Sequence, residues 1–487
     1  MGRLVLREVH ERKGLSLALS PTGVGALNLG GVTLAKFLRA KIIFQGVEID
    51  IESLSKSADF CQKAENADFI AIGEGQFATV DVLTALERVV RLVKGKSIMW
   101  GGCTIAIFMD VQQKLKPKFS FERDGLHKLW FFHNIHICPM LGNRRISHKG
   151  LLNWLRETAR STEVEIVIPS FIPRVVCSAL YLGPEYELRL IRFVFKGWLE
   201  TFEKWDHRVA LVKREKREGK WIIKFNDVFL ALLKETKNKY IAVGTNDQCE
   251  HYNSALMDVL PGPYLTYHAA TYLNTEKAEH YSGRVSQARV INRNVAGCLR
   301  SAVKLKVGAI SMLLVNVNPV EGALKTLTGC IVGFDEDYVD FLSYSAIDFE
   351  NNATSTRAIL VVPRCKVDML IPYARLEVAA TREQIGVGAA FGITIDRAMS
   401  QTIDRVGIDV REWYPGHGNI VTAFSRGRKP EDNLILADAR QIKTNKKTKN
   451  EQVLTLAHAC EKEYIDKFAP NYYEDAKIQI DNNKKKE

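Results

Sequence analysis

FGITIDRAMSQTIDRVGIDV, residues Phe391–Val410, and GHGNIVTAFSRGR, residues Gly416–Arg428, each read as an apolar, strand-like run that ends in polar side chains. Thr394, Asp396, Arg397, Gln401 and Thr402 decorate the first run, and Ser425, Arg426 and Arg428 the second. Ligands of α/β sheets bind outside the carboxyl ends of the strands, so this layout predicts functional groups aimed at an anion. An arginine directly after an apolar strand suits a phosphate, because its planar fork donates paired hydrogen bonds. The plainer alternative is a buried strand with solvated basic flanks.

Working outward, the same alternation recurs. A helix over 4–13 precedes a strand at Leu15–Leu19 and the turn Ser20-Pro21-Thr22-Gly23. Ala26–Leu38 carries Gly30-Gly31 and then helical spacing at Val32, Leu34, Phe37 and Leu38. DFIAI (68–72) reads as a buried strand, Val80–Val93 as a helix, and Ser97–Met109 as a further strand ending at Asp110. Strands alternating with helices imply a parallel, doubly wound sheet. The middle of the chain predicts a helix over Gly150–Arg160, a strand at Val164–Ile168, and a charged stretch from Glu185 to Lys224 whose KREKREGK (213–220) reads as a solvated face. A second α/β pattern starts at Tyr240–Val243 and the helix Gln248–Leu260, gives way to a β-rich segment over 264–384, and resumes with the two opening stretches. Beyond Gln441 the Lys- and Asn-rich tail predicts a helix with frayed ends.

A chain of 487 residues is too long for one ordinary core and predicts two or three domains. Its formal charge of +12 makes a polyanion a fitting partner. No run approaches the ~20 apolar residues that cross a bilayer, and the Met-Gly start lacks the hydroxyl residue a myristoylation motif needs, Leu6 standing there. The nine cysteines show no paired metal-ligand spacing, which predicts reduced thiols and no metal held by the protein's own ligands.

Eight patches in order then carry a resemblance. SPTGVGALNLGGVTLAKF (20–37), DFIAIGEGQF (68–77), GGCTIAIFMDVQQKLKP (101–117), ICPMLGNRRI (137–146), IAVGTNDQCEHYNSAL (241–256), LKVGAISMLLVNVNP (305–319) and the two opening stretches are colinear with the motifs of one family. The chain resembles the Pif-type (petite-integration-frequency) DNA helicases of superfamily one, including those of Helitron transposons. The resemblance implies two RecA-like parallel-sheet motor domains with ATP and Mg2+ between them, and a small β-barrel inserted in the second. It also implies single-stranded DNA across the top, five-prime to three-prime movement, and a nuclear or mitochondrial setting. The expected division is 1–145 for the first motor, 146–263 for linker, charged insert and start of the second, 264–384 for the β-rich insert, 385–440 for the rest of the second motor, and 441–487 for the tail.

By the same resemblance Glu74 stands where the general base belongs, Gln113 and Asp110 in the motif that follows, and Arg145 and Arg426 at the two nucleotide-sensing arginine positions, Arg426 as the arginine finger. Pro21, Thr22, Gly23, Asn28, Phe37, Thr245, Asn246, Thr394, Arg397 and Gln401 stand at DNA-facing positions. Departures are as telling. No GxxxxGK[ST] phosphate loop occurs, the chain opening inside the helix expected to follow it. Gly73 stands at the metal-holding Asp position, Met109 replaces a Gly, Ala35 a His, and Met399-Ser400 a Gln-Gly pair, while Asp396 adds negative charge to a phosphate track. Asp68, about 16 Å away at strand rise, cannot stand in for the missing carboxylate. These residues predict a helicase-like protein with impaired or lost ATP hydrolysis, weak single-stranded DNA binding at most, and an open or variable inter-domain angle. The alternatives are an active helicase whose phosphate loop is missing from a truncated gene model, and a relic without function.

Overall fold

The computed structural model describes residues 2–12, 14–43, 46–110, 145–160, 165–176, 184–204, 212–217, 220–273, 294, 299–318, 323–348, 353–354, 359–373, 376–399, 401, 403–411, 418–437 and 441–443. Its first sheet is parallel, in the order Val32–Thr33, Ser16–Ser20, Phe69–Ile72, Thr104–Ile107. The strand Phe69–Ile72 is buried along its whole length, as a run of FIAI requires when both faces are covered. Helix Val80–Val93 has the predicted bounds. Thr79 caps it by accepting from the Val82 N–H at 3.3 Å, and Leu83, Leu86 and Val90 face the core at helical spacing.

Two glycines explain the turn after the first strand. Gly30 closes helix Gly23–Leu29 in the left-handed region at φ 75°. A Cβ on Gly31 would lie 2.0 Å from the Ala18 carbonyl oxygen, so only glycine lets this chain pass so near the strand. The helical spacing expected after Gly30-Gly31 is realised as a short strand, Val32–Thr33, and one helical turn, Leu34–Phe37. The strand expected over Ser97–Met109 is shorter, Thr104–Ile107. Met99–Gly102 is a tight turn instead, with Trp100 at φ 56° and its N–H held by the buried Glu87 carboxylate at 3.3 Å.

A second parallel sheet runs in the order Gly392–Thr394, Lys239–Val243, Arg405–Asp409, Asn433–Ala437, Arg174–Val176. Helices Pro184–Glu203, Asp227–Thr236 and Asn246–Val259 share its core, where Trp198 and Phe195 meet Phe391 at 5.3 and 5.8 Å between ring centroids. Here the reading of Gly416–Arg428 is corrected: Asn419–Phe424 is a helix, and all six residues are buried. An apolar run buried on every side has no amphipathic stripe, so its periodicity does not separate helix from strand. The other opening stretch is likewise composite: strand Gly392–Thr394, helical turn Ile395–Ala398, strand Arg405–Asp409.

The β-rich segment forms a seven-stranded antiparallel sheet, Ala270–Leu273, Leu376–Ile385, Ile359–Tyr373, Tyr338–Ser343, Thr328–Phe334, Ile310–Leu313, Val387–Ala389. Among the described residues no pairing joins its two outer strands, so closure into the expected barrel is not confirmed. The charged stretch holds helix Pro184–Glu203 and an antiparallel hairpin, Val212–Arg217 with Lys220–Phe225. Cys61, Cys103, Cys249, Cys330 and Cys365 are free thiols, and the expected tail helix lies outside the described residues.

Candidate functional site

The chemistry-bearing residues gather where the first sheet's strands end. After Ile72 come the buried Gly73 and then Glu74, in the left-handed region at φ 54°, ψ 41°. That conformation is unusual for a residue with a side chain. It is fixed from behind by the Gly75 N–H, which donates to the Phe108 carbonyl at 2.9 Å. Gln76, 1% exposed, donates to the Glu74 carboxylate at 2.7 Å and accepts from the Asp110 N–H at 3.2 Å. Gln76 was not among the predicted site residues; a polar side chain two places after Glu74, in an otherwise apolar turn, was its signal.

Two arginines face this acidic pair. Burial lowers the Arg145 pKa while Glu74 and Asp110 raise it, and the net shift is downward. Arg426 is fully buried. Desolvation, helped by repulsion from Arg145 and opposed by Asp110 and Glu74, takes its pKa down to about 9. Its guanidinium donates to the Thr422 carbonyl at 2.9 Å, the Gln401 carbonyl at 3.1 Å, the Ala398 carbonyl at 3.5 Å and the Ser425 hydroxyl at 2.8 Å. It therefore ties the helix Asn419–Phe424 to the segment that follows Thr394. Glu74, Asp110, Arg145 and Arg426 share one electrostatic neighbourhood; Gln113 lies outside the described residues.

Gly73 adds no carboxylate to that neighbourhood. A Cβ at Gly73 would meet a Leu29 methyl at 2.7 Å, so Leu29 fills the space beside it. Asp68 is occupied elsewhere, accepting from the Leu15 N–H at 3.0 Å. Among the described residues no three His, Cys, Asp or Glu side chains form a metal-binding group.

Some of the DNA-facing candidates follow the carboxyl ends of strands, while Asn28, Phe37 and Arg397 lie on helices. Pro21, Thr22 and Gly23 follow Ser16–Ser20, and a Cβ on Gly23 would lie within 3.7 Å of Leu324 and Asn316 from the β-rich segment. Thr22 caps its helix by accepting from the Gly25 N–H at 3.1 Å. Asn28 is exposed, whereas Phe37 packs into the core against Phe60, with centroids 4.7 Å apart. Thr394 ends its strand in register with Val243 of the neighbouring strand, and Thr245 follows Val243 two residues later as the cap of helix Asn246–Val259. Thr245 accepts from the Gln248 N–H at 3.2 Å, and Gln248 in turn accepts from the Gly244 N–H at 3.2 Å, a capping arrangement. Thr394 sits at the start of Ile395–Ala398 without spending its side chain on a cap. Asn246 is exposed, Arg397 half-buried, and Gln401 donates to the Arg397 carbonyl at 3.1 Å. Ser400 and Thr402 lie outside the described residues.

With two parallel sheets, an antiparallel insert and this site in place, the chain can be set beside known proteins. No family model matches it. Bacteroides Pif1 bound to ssDNA superposes with a TM-score of 0.58 at 17% identity, over 95% of this chain and 91% of that one. The Pif1 helicase from Candida albicans gives 0.54 at 14% identity, over 94% and 91%. This chain has the Pif1 helicase fold. A curated relative, the ATP-dependent DNA helicase PIF6 of Trypanosoma brucei brucei, is 29% identical over 152 residues. That match spans 30% of this chain and only 18% of the relative's length.

One cluster in this Pif1 fold escaped the sequence reading. At the end of Arg405–Asp409, the fully buried Asp409 accepts from Tyr252 OH at 2.8 Å and from the Arg411 guanidinium at 2.7 and 3.0 Å. Arg411 also reaches Glu187 at 2.8 Å, and Glu187 pairs with His251 at 2.7 Å. The group joins helices Pro184–Glu203 and Asn246–Val259 to the sheet. A carboxylate and an arginine two apart at a strand end, in IDVR, were its only trace. No helix among the described residues is long and apolar enough to cross a membrane.

Proposed function

We propose that this is a Pif1-type, helicase-derived protein that binds single-stranded DNA weakly and hydrolyses ATP poorly or not at all. One observation carries the reading: the position expected to hold the catalytic metal is Gly73, with a Leu29 methyl packed where a carboxylate stem would start. A magnesium–nucleotide needs at least one protein carboxylate beside the phosphates, and the residues at this position do not fit that need. Glu74 accepts a hydrogen bond from Gln76 and, in this reading, serves no bound nucleotide. ATP and Mg2+ are accordingly not bound productively in this reading. Support for DNA as the partner comes from the +12 charge, from Thr394 at one strand end and Thr245 just past the end of the neighbouring strand, and from the similar Bacteroides Pif1 structure, which has ssDNA bound. The reading keeps the division into motor segments 1–145 and 146–263 with 385–440, an insert at 264–384, and a tail from 441.

A second reading, an active ATP-dependent helicase completed by a phosphate loop ahead of residue 1, is favoured by the retained cluster of Glu74, Asp110, Arg145 and Arg426. A phosphate-release assay with Mg-ATP and single-stranded DNA separates the two. The first reading expects little or no release, and strong DNA-stimulated turnover would refute it.

A further inference from the structure

We infer that Asn253 is a positioning residue for the DNA-facing edge, holding Thr394 in fixed relation to Thr245. This rests on the DNA-binding reading above. Asn253 lies on the buried face of helix Asn246–Val259 and is 5% exposed. Its amide acts as a strand mimic. The side-chain oxygen accepts from the Gly392 N–H at 2.9 Å, and the side-chain nitrogen donates to the Gly392 carbonyl at 3.2 Å and the Ala389 carbonyl at 3.1 Å. Cys249, one turn earlier, donates its thiol to the same Gly392 carbonyl at 2.8 Å.

The place of these bonds gives them their meaning. Gly392–Thr394 is the outermost strand of the second parallel sheet, so one of its edges has no neighbouring strand among the described residues. Ala389 ends the last strand of the antiparallel sheet, and the chain crosses from one sheet to the other between Ala389 and Gly392. Asn253 therefore pins the crossing, and Thr394 follows two residues later. The helix that carries Asn253 begins at Thr245 and Asn246, so one element reaches both candidate contacts. A Cβ on Gly392 would lie 3.1 Å from the Tyr252 Cβ and 3.2 Å from the Cys249 carbonyl oxygen, which shows how closely the strand lies on the helix. An apolar side chain at 253 would leave two carbonyls and one N–H without this partner in a buried place.

The test uses the full chain with Asn253→Leu and Asn253→Asp. A labelled single-stranded oligonucleotide reports binding, and amide exchange at Gly392 and Thr394 reports the clamp. Asn253→Leu is expected to weaken binding about tenfold and to speed exchange at Gly392, while Ala242 in the adjoining strand stays protected. Asn253→Asp supplies the needed donor only when its carboxyl is protonated, and burial favours that form. Relative to the parent at the same pH, its binding is expected to be near normal at about pH 5.5 and to fall about tenfold by about pH 8.5. A purely packing role would show no such pH profile. Parent-like binding by both variants at every pH, with Gly392 exchange unchanged, would overturn the assignment. If the parent binds no DNA, the DNA reading fails. The clamp is then judged by exchange alone: faster exchange confined to Gly392–Thr394 upholds its positioning of that edge, and unchanged exchange overturns it.

Discussion

Replacing Arg426 with Met removes a guanidinium that the fold itself uses. The lost hydrogen bonds of 3.1 Å or shorter go to the Thr422 carbonyl, the Gln401 carbonyl and the Ser425 hydroxyl. Ser425 still donates to the Thr422 carbonyl at 3.1 Å, so the loss is that of the charged donor: hydrogen bonds to a charged group contribute roughly 1.5–3 kcal/mol each, and losing three costs about 5 kcal/mol. Met no longer buries a cation, which returns about 2 kcal/mol. The net loss is about 3 kcal/mol, equivalent to a fall of about 6–12 °C for a second motor that melts as a unit of roughly 150–250 residues. Differential scanning calorimetry gives the shift, and hydrogen exchange at Ile403 and Thr422–Ser425 localises it. Arg426→Lys keeps the charge but not the fork and should regain less than half. An arginine held only for a nucleotide would be nearly neutral to stability without one. An Arg426→Met protein melting within about 1 °C of the parent would refute the reasoning, since surface-like changes stay within about 0.5 kcal/mol.

Gly31→Ala forces a Cβ to 2.0 Å from the Ala18 carbonyl oxygen, backbone that cannot swing aside, and should abolish soluble expression; normal yield and melting would contradict the close approach. The Glu187 carboxyl is pushed up by burial but pulled further down by hydrogen bonds from His251 and Arg411, ending below its ordinary 4.5. A depressed folded value stabilises above the unfolded pKa and is lost as pH falls through the folded one. Glu187→Gln should therefore lower the melting temperature at pH 7 and converge with the parent below pH 4.5, whereas a pH-independent gap would count against the pair. Burial also pushes the Cys249 and Cys330 thiols up, so alkylation of the native protein followed by peptide mass mapping should label Cys61 before either of them; equal labelling of the three would contradict their burial.

Much of the fold was legible because its elements bury one face or two in a regular way. Val80–Val93 carried a helical stripe and a threonine cap, and FIAI at 69–72 an unbroken apolar run. Asn419–Phe424 was misread because a fully buried helix has no polar face to betray its period. The strand at 97–109 was overextended because Trp100 and Gly101 turn through positive φ, which local composition does not announce. At the site, the motif residues could be found one by one, but not their employment. Thr22 and Thr245 spend their hydroxyls as caps, Phe37 is core, and the Arg426 fork is filled by backbone carbonyls. Phe60, the Gln401 carbonyl and the group of Asp409, Tyr252 and Glu187 are brought in from segments distant in sequence, and no local pattern encodes those contacts.

DNA binding that does not depend on nucleotide is the property on which the proposed function turns. Fluorescence anisotropy of a labelled single strand, titrated with the purified chain from about 50 to 200 mM salt with and without Mg-ATP, measures it directly. The prediction is weak binding at about 50 mM that declines steeply with salt and is the same in both series. No binding at about 50 mM, or an affinity changed about tenfold by Mg-ATP, would contradict it.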